Sequence, residues 1–405
     1  MKTEWVHKNE QCTMNNVQWE KVRFGEFFDM LPTNTLSRDK LNNQQGEYQN
    51  VHYGDVLIKY PFCLDCNNAE IPYINDGVKF NMAEVRDGDV IFADTAEDDT
   101  VGKCVEVLNV GDRKIVSGLH TYFCRPRHKM ALGYLGYYLN SNHFHNQLLP
   151  YIAGSKVSSV NRTSIARTFI SYPTDLSAQR RIAAILSSVD KVIAATQKTI
   201  AKYKQIKQGM MEDLLKPKEG WKMVKLGEVG EIVTGSTPTT TKAEYWDGEY
   251  NFYSPADFDD RVYCGKTERT VTKAGMDTGR RIPENSIMVA CIASIGKISI
   301  NRTEGITNQQ INTIVPKTGY DYIFLYYLLL FNVEKIKGGA AQTTIPIINK
   351  EDFSSLVFVV PDLPEQRRIA AILSGIDAKI AAEEKVLEKY EKVKKGLMER
   401  LLNEE

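Results

Sequence analysis

Apolar side chains recur three and four residues apart through one long stretch of the chain, at Ile182, Leu186, Val189, Ile193, Ile200, Tyr203, Met210 and Leu214. That period lays them on one stripe of a helix and leaves the charges on the other faces, as in a coiled-coil seam. Ile369, Leu373, Ile376, Ile380, Leu387, Tyr390, Leu397 and Leu401 repeat the stripe. The spacing predicts two helices beginning near Ser177 and Pro364, each of about 36 to 38 residues and about 55 Å long. Lys216-Pro-Lys-Glu-Gly220 stops the first, because proline and glycine do not extend a helix.

The stripe recurs because the letters do. Gln179-Arg-Arg-Ile-Ala-Ala-Ile-Leu-Ser187 returns unchanged as Gln366-Arg-Arg-Ile-Ala-Ala-Ile-Leu-Ser374, 187 positions later. The match continues without a gap through Asp190/Asp377, Tyr203/Tyr390, Gly209/Gly396 and Met211-Glu212/Met398-Glu399. A weaker echo opens each half, Trp19-Glu-Lys-Val-Arg-Phe-Gly-Glu26 against Trp221-Lys-Met-Val-Lys-Leu-Gly-Glu228. Between these the likeness thins to Val101-Gly-Lys103 against Ile295-Gly-Lys297 and Tyr137-Tyr138 against Tyr326-Tyr327. Each half is a variable globular region followed by a nearly constant helix.

An apolar stripe outside a globular core needs a partner, and the other copy is the obvious one. The order globule, helix, globule, helix then demands an antiparallel pair with an approximate twofold axis, a dumbbell in outline. The expected divisions are a first globule over 1–175, a helix over 176–216, a linker over 217–220, a second globule over 221–361 and a second helix over 362–405. Strand patterns bounded by Gly, Pro or Asn fall at 90–93, 168–172, 287–292, 298–301, 311–315 and 356–360, and helical ones at 132–149 and 322–336. The globules are therefore α/β or α+β.

Composition confirms a globular chain: 405 residues allow two or three folded units, and 42% hydrophobic with 25% charged residues excludes disorder and collagen-like repeats. Seven scattered cysteines fit reduced thiols, and the amino terminus has no apolar core of a signal peptide. The expected location is the cytoplasm. The longest apolar run, 322–331, is far short of the ~20 residues of a membrane helix.

Catalytic machinery is hard to find. There is no glycine-rich cofactor fingerprint, and Gly296-Lys297 is followed by Ile298, which cannot serve magnesium as the Ser/Thr of a P-loop does. Asp362 with Glu383-Glu-Lys385 superficially spells a nuclease pattern, but these residues lie on the constant helix and read as its solvated face. Cys63-Leu-Asp-Cys66 has metal-like spacing without a second pair, so two buried or loop thiols are the reading, and His143-Phe-His145 diverges on a helix. No catalytic or metal residue is assigned.

What remains is polar loops in the variable globules, where recognition is free to reside. In the second globule Ser236, Thr237, Thr239 and Lys242 combine hydroxyls with a cation. Asn308, Gln309 and Gln310 offer amides of the kind that read adenine edges, and Gln342, Thr343 and Thr344 follow exposed glycines. In the first, the comparable residues are Tyr53, Lys59, His120, Arg125, Arg127, Ser155, Lys156, Asn161 and Arg162. Any one of them taken singly is an ordinary loop residue.

Together, the twin Gln-Arg-Arg-Ile-Ala-Ala-Ile-Leu-Ser blocks, the Asp175-Leu176 and Asp362-Leu363 that precede them, the Trp19 and Trp221 openings, His52-Tyr-Gly-Asp55 and Gly235-Ser-Thr-Pro238 resemble the specificity subunits of type I restriction-modification systems. The likeness runs from Trp19 to Leu402, and residues 1–18 have no counterpart in it. The resemblance implies that each globule is a target recognition domain reading half of a split double-stranded DNA site. The helices would act as ruler and as dock for two modification (methyltransferase) subunits. It also implies adenine methylation with S-adenosylmethionine held by those subunits, and cleavage when an ATP- and magnesium-dependent restriction subunit joins. This chain would bind no cofactor and catalyse neither step. A non-catalytic coiled-coil scaffold joining two protein-binding domains is the alternative.

Charge sharpens the expectation. The chain carries 51 Lys+Arg against 51 Asp+Glu; residues 1–175 hold 18 against 21 and residues 221–361 hold 15 against 16. Phosphate neutralisation normally supplies much of a DNA complex's affinity, so the chain alone should bind DNA poorly, with partners completing the clamp. Residues 176–220, with 9 Lys+Arg against 4 Asp+Glu, are the one distinctly positive stretch, facing phosphate, an acidic partner or solvent. Exchanging residues 222–361 for those of a relative should change one half-site only, and shortening both helices by matched turns should change the gap alone. Methylated-motif mapping checks both, and a change in both half-sites after the single exchange would sink the modular reading.

Overall fold

The computed structural model describes residues 17–78, 82–98, 100–154, 156–259, 261–339 and 346–404. The chain divides into two units, residues 1–195 with 387–405, and residues 196–386. Each unit therefore contains the start of one long helix and the end of the other, because those helices run Leu176–Leu215 and Leu363–Leu401.

In the first unit, five strands line up as Phe28–Leu31, Thr121–Pro126, Val90–Ala93, Cys104–Leu108 and Cys63–Asp65, antiparallel except for the last. The second unit repeats the order with Gly230–Thr234, Ile311–Pro316, Ile287–Ala290 and Ile298–Ile300, and a parallel bridge from Tyr263 to Ile300 stands where the fifth strand would be. A smaller sheet in each is built on one parallel pair, Gln49–Val51 with Ile115–Ser117 and Trp246–Tyr253 with Gly305–Thr307. The mixed α/β fold thus repeats where the letters do not. The first and last strands of each globule pair antiparallel, Trp19 opposite Pro173 and Lys222 opposite Val360, which delivers the chain to the start of its long helix.

The repeated block is constant because it fastens that helix to its globule. Gln179, 1% exposed, accepts the Ala131 N–H at 2.8 Å and donates to the Pro173 carbonyl at 2.7 Å. Gln366, also 1% exposed, does the same with the Asp321 N–H at 2.9 Å and the Pro361 carbonyl at 2.9 Å. Ile182 and Leu186 enter one core, which also takes Leu401 and Leu402 from the end of the second helix. Ile369 and Leu373 enter the other beside Met211 and Leu215.

Each unit also holds a three-membered clamp. The Tyr137 hydroxyl donates to Asp190 at 2.7 Å, and Asp190 pairs with Lys394. In the second unit the Tyr327 hydroxyl donates to Asp377 at 2.5 Å, and Asp377 pairs with Lys207 at 2.7 Å. Burial, followed by the bond to its carboxylate, raises the pKa of each tyrosine.

Several sequence expectations need correction. Tyr137 is equivalent to Tyr327, so the Tyr-Tyr fragments align one residue away from the pairing of Tyr137 with Tyr326. The end of the first seam is Met211 and Leu215, with Met210 and Leu214 only partly buried; a straight helix drifts by about 20° per heptad from a strict seven-residue repeat. The single helix expected over 132–149 is two, Tyr134–Leu139 and Asn142–Leu148. Asn140 turns aside to bond both backbone groups of Cys104, and Ser141 caps the second helix. The segment 322–336 likewise breaks at Asn332 into Tyr322–Phe331 and Val333–Gly338. Gly296 and Gly102 are left-handed turn residues before equivalent strands, and the lysine after each donates to a backbone carbonyl, of Pro255 and Leu57. Cys63 lies against Gly136 and Cys66 lies in the apolar core, so the two thiols face different surroundings.

Glu106 is fully buried on the strand Cys104–Leu108, where it accepts the N–H groups of Gly133 and Gly136, each at 2.8 Å. Burial pushes its pKa up from an ordinary 4.5 to about 7. The folded carboxyl therefore keeps a proton that the unfolded chain releases. Stability should fall as pH rises from 4.5 to about 7 and level off above. Urea unfolding across that window should show a decline of up to about 1.4 kcal/mol per pH unit that Glu106→Gln removes. For the clamps, a double-mutant cycle of Asp377→Asn with Lys207→Met should return a coupling of about 1–2 kcal/mol, and Asp190 with Lys394 a similar value. A coupling near zero would make these pairs incidental.

Candidate nucleic-acid interface

The second unit gathers four of the residues singled out from its loops. Gly235 ends the strand Gly230–Thr234 by lying directly on residues 307 and 308; a Cβ there would stand 2.0 Å from the Asn308 carbonyl oxygen. This close approach, with Ser236 N–H donating to the Thr307 carbonyl at 2.8 Å, brings Thr237 to Gln309, where its hydroxyl donates to Oε1 at 2.5 Å. Asn308 and Gln310 fix each other, the Asn308 amide donating to Gln310 Oε1 at 3.0 Å and its Oδ1 accepting the Gln310 N–H at 3.0 Å. Thr237, Asn308, Gln309 and Gln310 line a groove of about 330 Å³ with Phe252, Ser254, Asp257, Glu268 and Arg269.

The groove carries both signs of charge. Asp257 is engaged, accepting Ser254 N–H at 2.8 Å, Ser254 hydroxyl at 2.7 Å and Glu268 N–H at 2.8 Å. Arg269 places its guanidinium carbon 3.6 Å from the centre of the Trp246 ring. Trp246 is held by its indole N–H to the Thr239 carbonyl at 3.2 Å and by an edge contact with Phe252.

Ser236, Thr239 and Lys242 are not among the lining residues. Ser236 hydroxyl accepts the Arg280 N–H, and Lys242 bonds Tyr245, which with Glu244 raises its pKa. Gln342, Thr343 and Thr344, like Ser155 of the first unit, lie outside the described residues.

In the first unit the structure joins Tyr53 to His120, ring centres 5.4 Å apart, and to His52 at 4.6 Å. Burial and then the nearby Arg38 lower the pKa of His52. Most of the remaining cations are spent internally. Lys59 and Arg38 both pair with the buried Asp55, at 3.0 and 2.8 Å. Arg125 forks onto Asp89 at 2.9 and 2.7 Å, Arg127 meets Asp29 at 2.9 Å, and Arg162 donates to the Met30 carbonyl at 2.6 Å. Asn161 caps the helix Arg162–Ile165, and Lys156 is exposed.

Two features escaped the reading of the loops. An open hollow of about 540 Å³ in the first unit is lined by Glu47, Gln49, Tyr73, Asp112, Arg113 and Lys114 among others, and none of those had been singled out. The Arg269–Trp246 stack joins residues 23 apart on adjacent strands, and only the strand pairing brings them together. Among the described residues no cluster of three or more His, Cys, Asp or Glu could hold a metal, and no helix is long and apolar enough to cross a membrane.

The family model described as "Type I restriction modification DNA specificity domain" matches residues 16–205 and again residues 218–392. The chain is similar to the specificity subunit of the type I restriction enzyme MjaIX of Methanocaldococcus jannaschii, 32% identical over 187 residues that make up 45% of this chain and 43% of that one. It is also similar to a specificity subunit assigned to the MjaX enzyme of the same organism, 26% identical over 362 residues, 82% of each chain. The chain thus spans under half of the first relative and about four fifths of the second. Among solved structures, the type I system S subunit from M. genitalium shares its fold with a TM-score of 0.61 at 15% identity, covering 98% of this chain and 99% of the other. A chain from a study of complex assembly and conformational transition in a type I restriction-modification system follows at a TM-score of 0.57 and 18% identity, covering 95% and 98%.

Proposed function

The chain belongs to the type I restriction-modification DNA specificity family, and from that premise we propose that it reads a two-part DNA site on behalf of partner subunits that do the chemistry. One observation carries the proposal. Two globules of the same topology are fastened to letter-identical helix blocks by the same glutamine pin and the same Tyr–Asp–Lys clamp, while most of their loop sequence differs. A constant frame with two variable faces fits two different half-sites held at one spacing.

In this reading each globule contacts one half-site, and the long helices, paired antiparallel as a coiled-coil spacer, set the gap. Some repeated letters have no task inside the globules. Arg180 and Arg181 are exposed in one copy, as are Arg367 and Arg368 in the other, where Arg368 also forks onto Glu365 one turn back on the same helix. Residues that recur in both copies and face outward suit a partner bound twice, which supports the docking of two modification subunits on the helices. S-adenosylmethionine would be held by those subunits, and ATP and magnesium by a restriction subunit, with the assembly working in the cytoplasm. This chain would orient the complex on adenine-containing sites without a reaction of its own.

Because neither globule is basic, the isolated chain should bind DNA weakly, and tight binding should require the assembled complex. The test is single-molecule sequencing of genomic DNA from cells expressing the chain with and without its modification subunit. A two-part adenine-methylated motif that needs both proteins is the expected result; an assembled, active complex that leaves no such motif would favour the protein-scaffold reading.

A further inference from the structure

We propose that Arg269 reads a guanine in the half-site belonging to the second globule, its guanidinium forking onto O6 and N7. This rests on the DNA-reading role above and narrows it to one side chain and one base.

The first ground is pre-organisation. A free arginine loses most of its rotamer freedom when it binds, and that loss opposes recognition. Arg269 has given up much of it already: its guanidinium carbon lies 3.6 Å from the Trp246 ring centre and 5.9 Å from that of Phe252. Trp246 is only 7% exposed and anchored at its indole nitrogen, so the wall behind the guanidinium is fixed. A planar cation stacked in this way keeps its edge donors in the plane and free to fork.

The second ground is that its donors are unspent. Arg261 pairs with Asp259, Arg281 with Asp277 and Glu304, and Arg280 donates to the Thr234 carbonyl. Arg302 also stacks, on Tyr263 at 4.1 Å, but it does not line the groove. Among the described residues Arg269 meets rings and no carboxylate.

The third ground is the charge around it. An arginine on a DNA-binding face takes either a phosphate or a base edge. Asp257 and Glu268 line the same groove, and two carboxylates beside a phosphodiester would repel it. A base edge is neutral. Guanine presents two acceptors side by side in the major groove and matches the fork, whereas adenine sets an N6–H donor against one of its arms. The amides of Asn308, Gln309 and Gln310 border the same groove, where neighbouring bases would lie.

The experiment is methylated-motif mapping with the assembled complex carrying the wild-type chain, Arg269→Lys, Arg269→Ala or, as control, Arg302→Ala. Arg269→Lys keeps the charge and the ring contact but lacks the fork. Both Arg269 variants should lose preference for guanine at one position by about 5- to 150-fold. That position should lie in the half-site that changes when residues 222–361 are exchanged, with the other half-site and the Arg302→Ala motif unchanged. An unaltered motif in both Arg269 variants overturns the assignment, and so does a uniform loss of methylation without relaxed specificity, which would mark a phosphate or structural role. Absence of any two-part motif with the wild-type complex would instead defeat the underlying DNA-reading role.

Discussion

A lysine–aspartate pair ties each unit together, and each pair is closed by a tyrosine. Lys394 and Lys207 are mostly buried, with side-chain exposures of 13% and 16%, and a charge so withdrawn from water needs a specific partner. The carboxylate supplies it, and aromatic faces add to it: Lys394 sits 3.6 Å from the ring centre of Phe62, and Lys207 5.4 Å from that of Tyr327. The tyrosine hydroxyl then occupies the other oxygen of the aspartate. Three elements meet at each point: the globule, the helix that leaves it and the helix that arrives. A helix slipped by one residue turns its side chains by about 100°, which would carry lysine or aspartate out of reach and strand a charge. The clamps therefore fix helical register as well as contact.

This explains which parts of the chain vary. Gln179 and Gln366, Asp190 and Asp377, and Lys207 and Lys394 are identical because each makes the same contacts in its own unit. For its hydrogen bonds this junction draws mostly on the globule's backbone, the carbonyls of Pro173 and Pro361 and the N–H groups of Ala131 and Asp321, together with one tyrosine in each unit. A junction that asks so little of the globule's side chains lets the loops change while the seating is preserved. Binding loops on a fixed scaffold are the general form of this solution.

The long helices were legible because their period is written in large side chains and repeated. Val90–Ala93 and Ile287–Ala290 were legible as unbroken apolar runs, whereas their neighbours Cys104–Leu108 and Thr121–Pro126, interrupted by Glu106 and Arg125, were missed. Shorter strands such as Gln49–Val51 and Gly305–Thr307 gave no periodic signal, since two or three residues cannot show a period, and they form through tertiary pairing. The helix breaks at Asn140 and Asn332 were hidden for a related reason: Asn140 bonds a strand 36 residues away, which no local window contains. Site residues divide along the same line. Thr237 and the amides 308–310 could be singled out because loop composition is local, and the fold gathers them in one groove, whereas the internal pairing of Lys59, Arg125 and Arg127 depends on carboxylates brought in by the fold.

That internal pairing bears on how a neutral chain can specify DNA at all. A cation bound to Asp55 or Asp89 contributes little long-range field, because its partner cancels it at any distance beyond the pair. Non-specific affinity grows with the number of phosphates neutralised, so this pairing would keep it low. Discrimination has a different origin. It needs a few donors and acceptors held in place at base edges, and it is lost when those groups are drawn instead to phosphate. A groove that mixes amides, carboxylates and one ring-supported arginine favours base edges over phosphate. On the proposed function, a reader made this way would gain specificity at the expense of grip, and the grip would come from partner subunits.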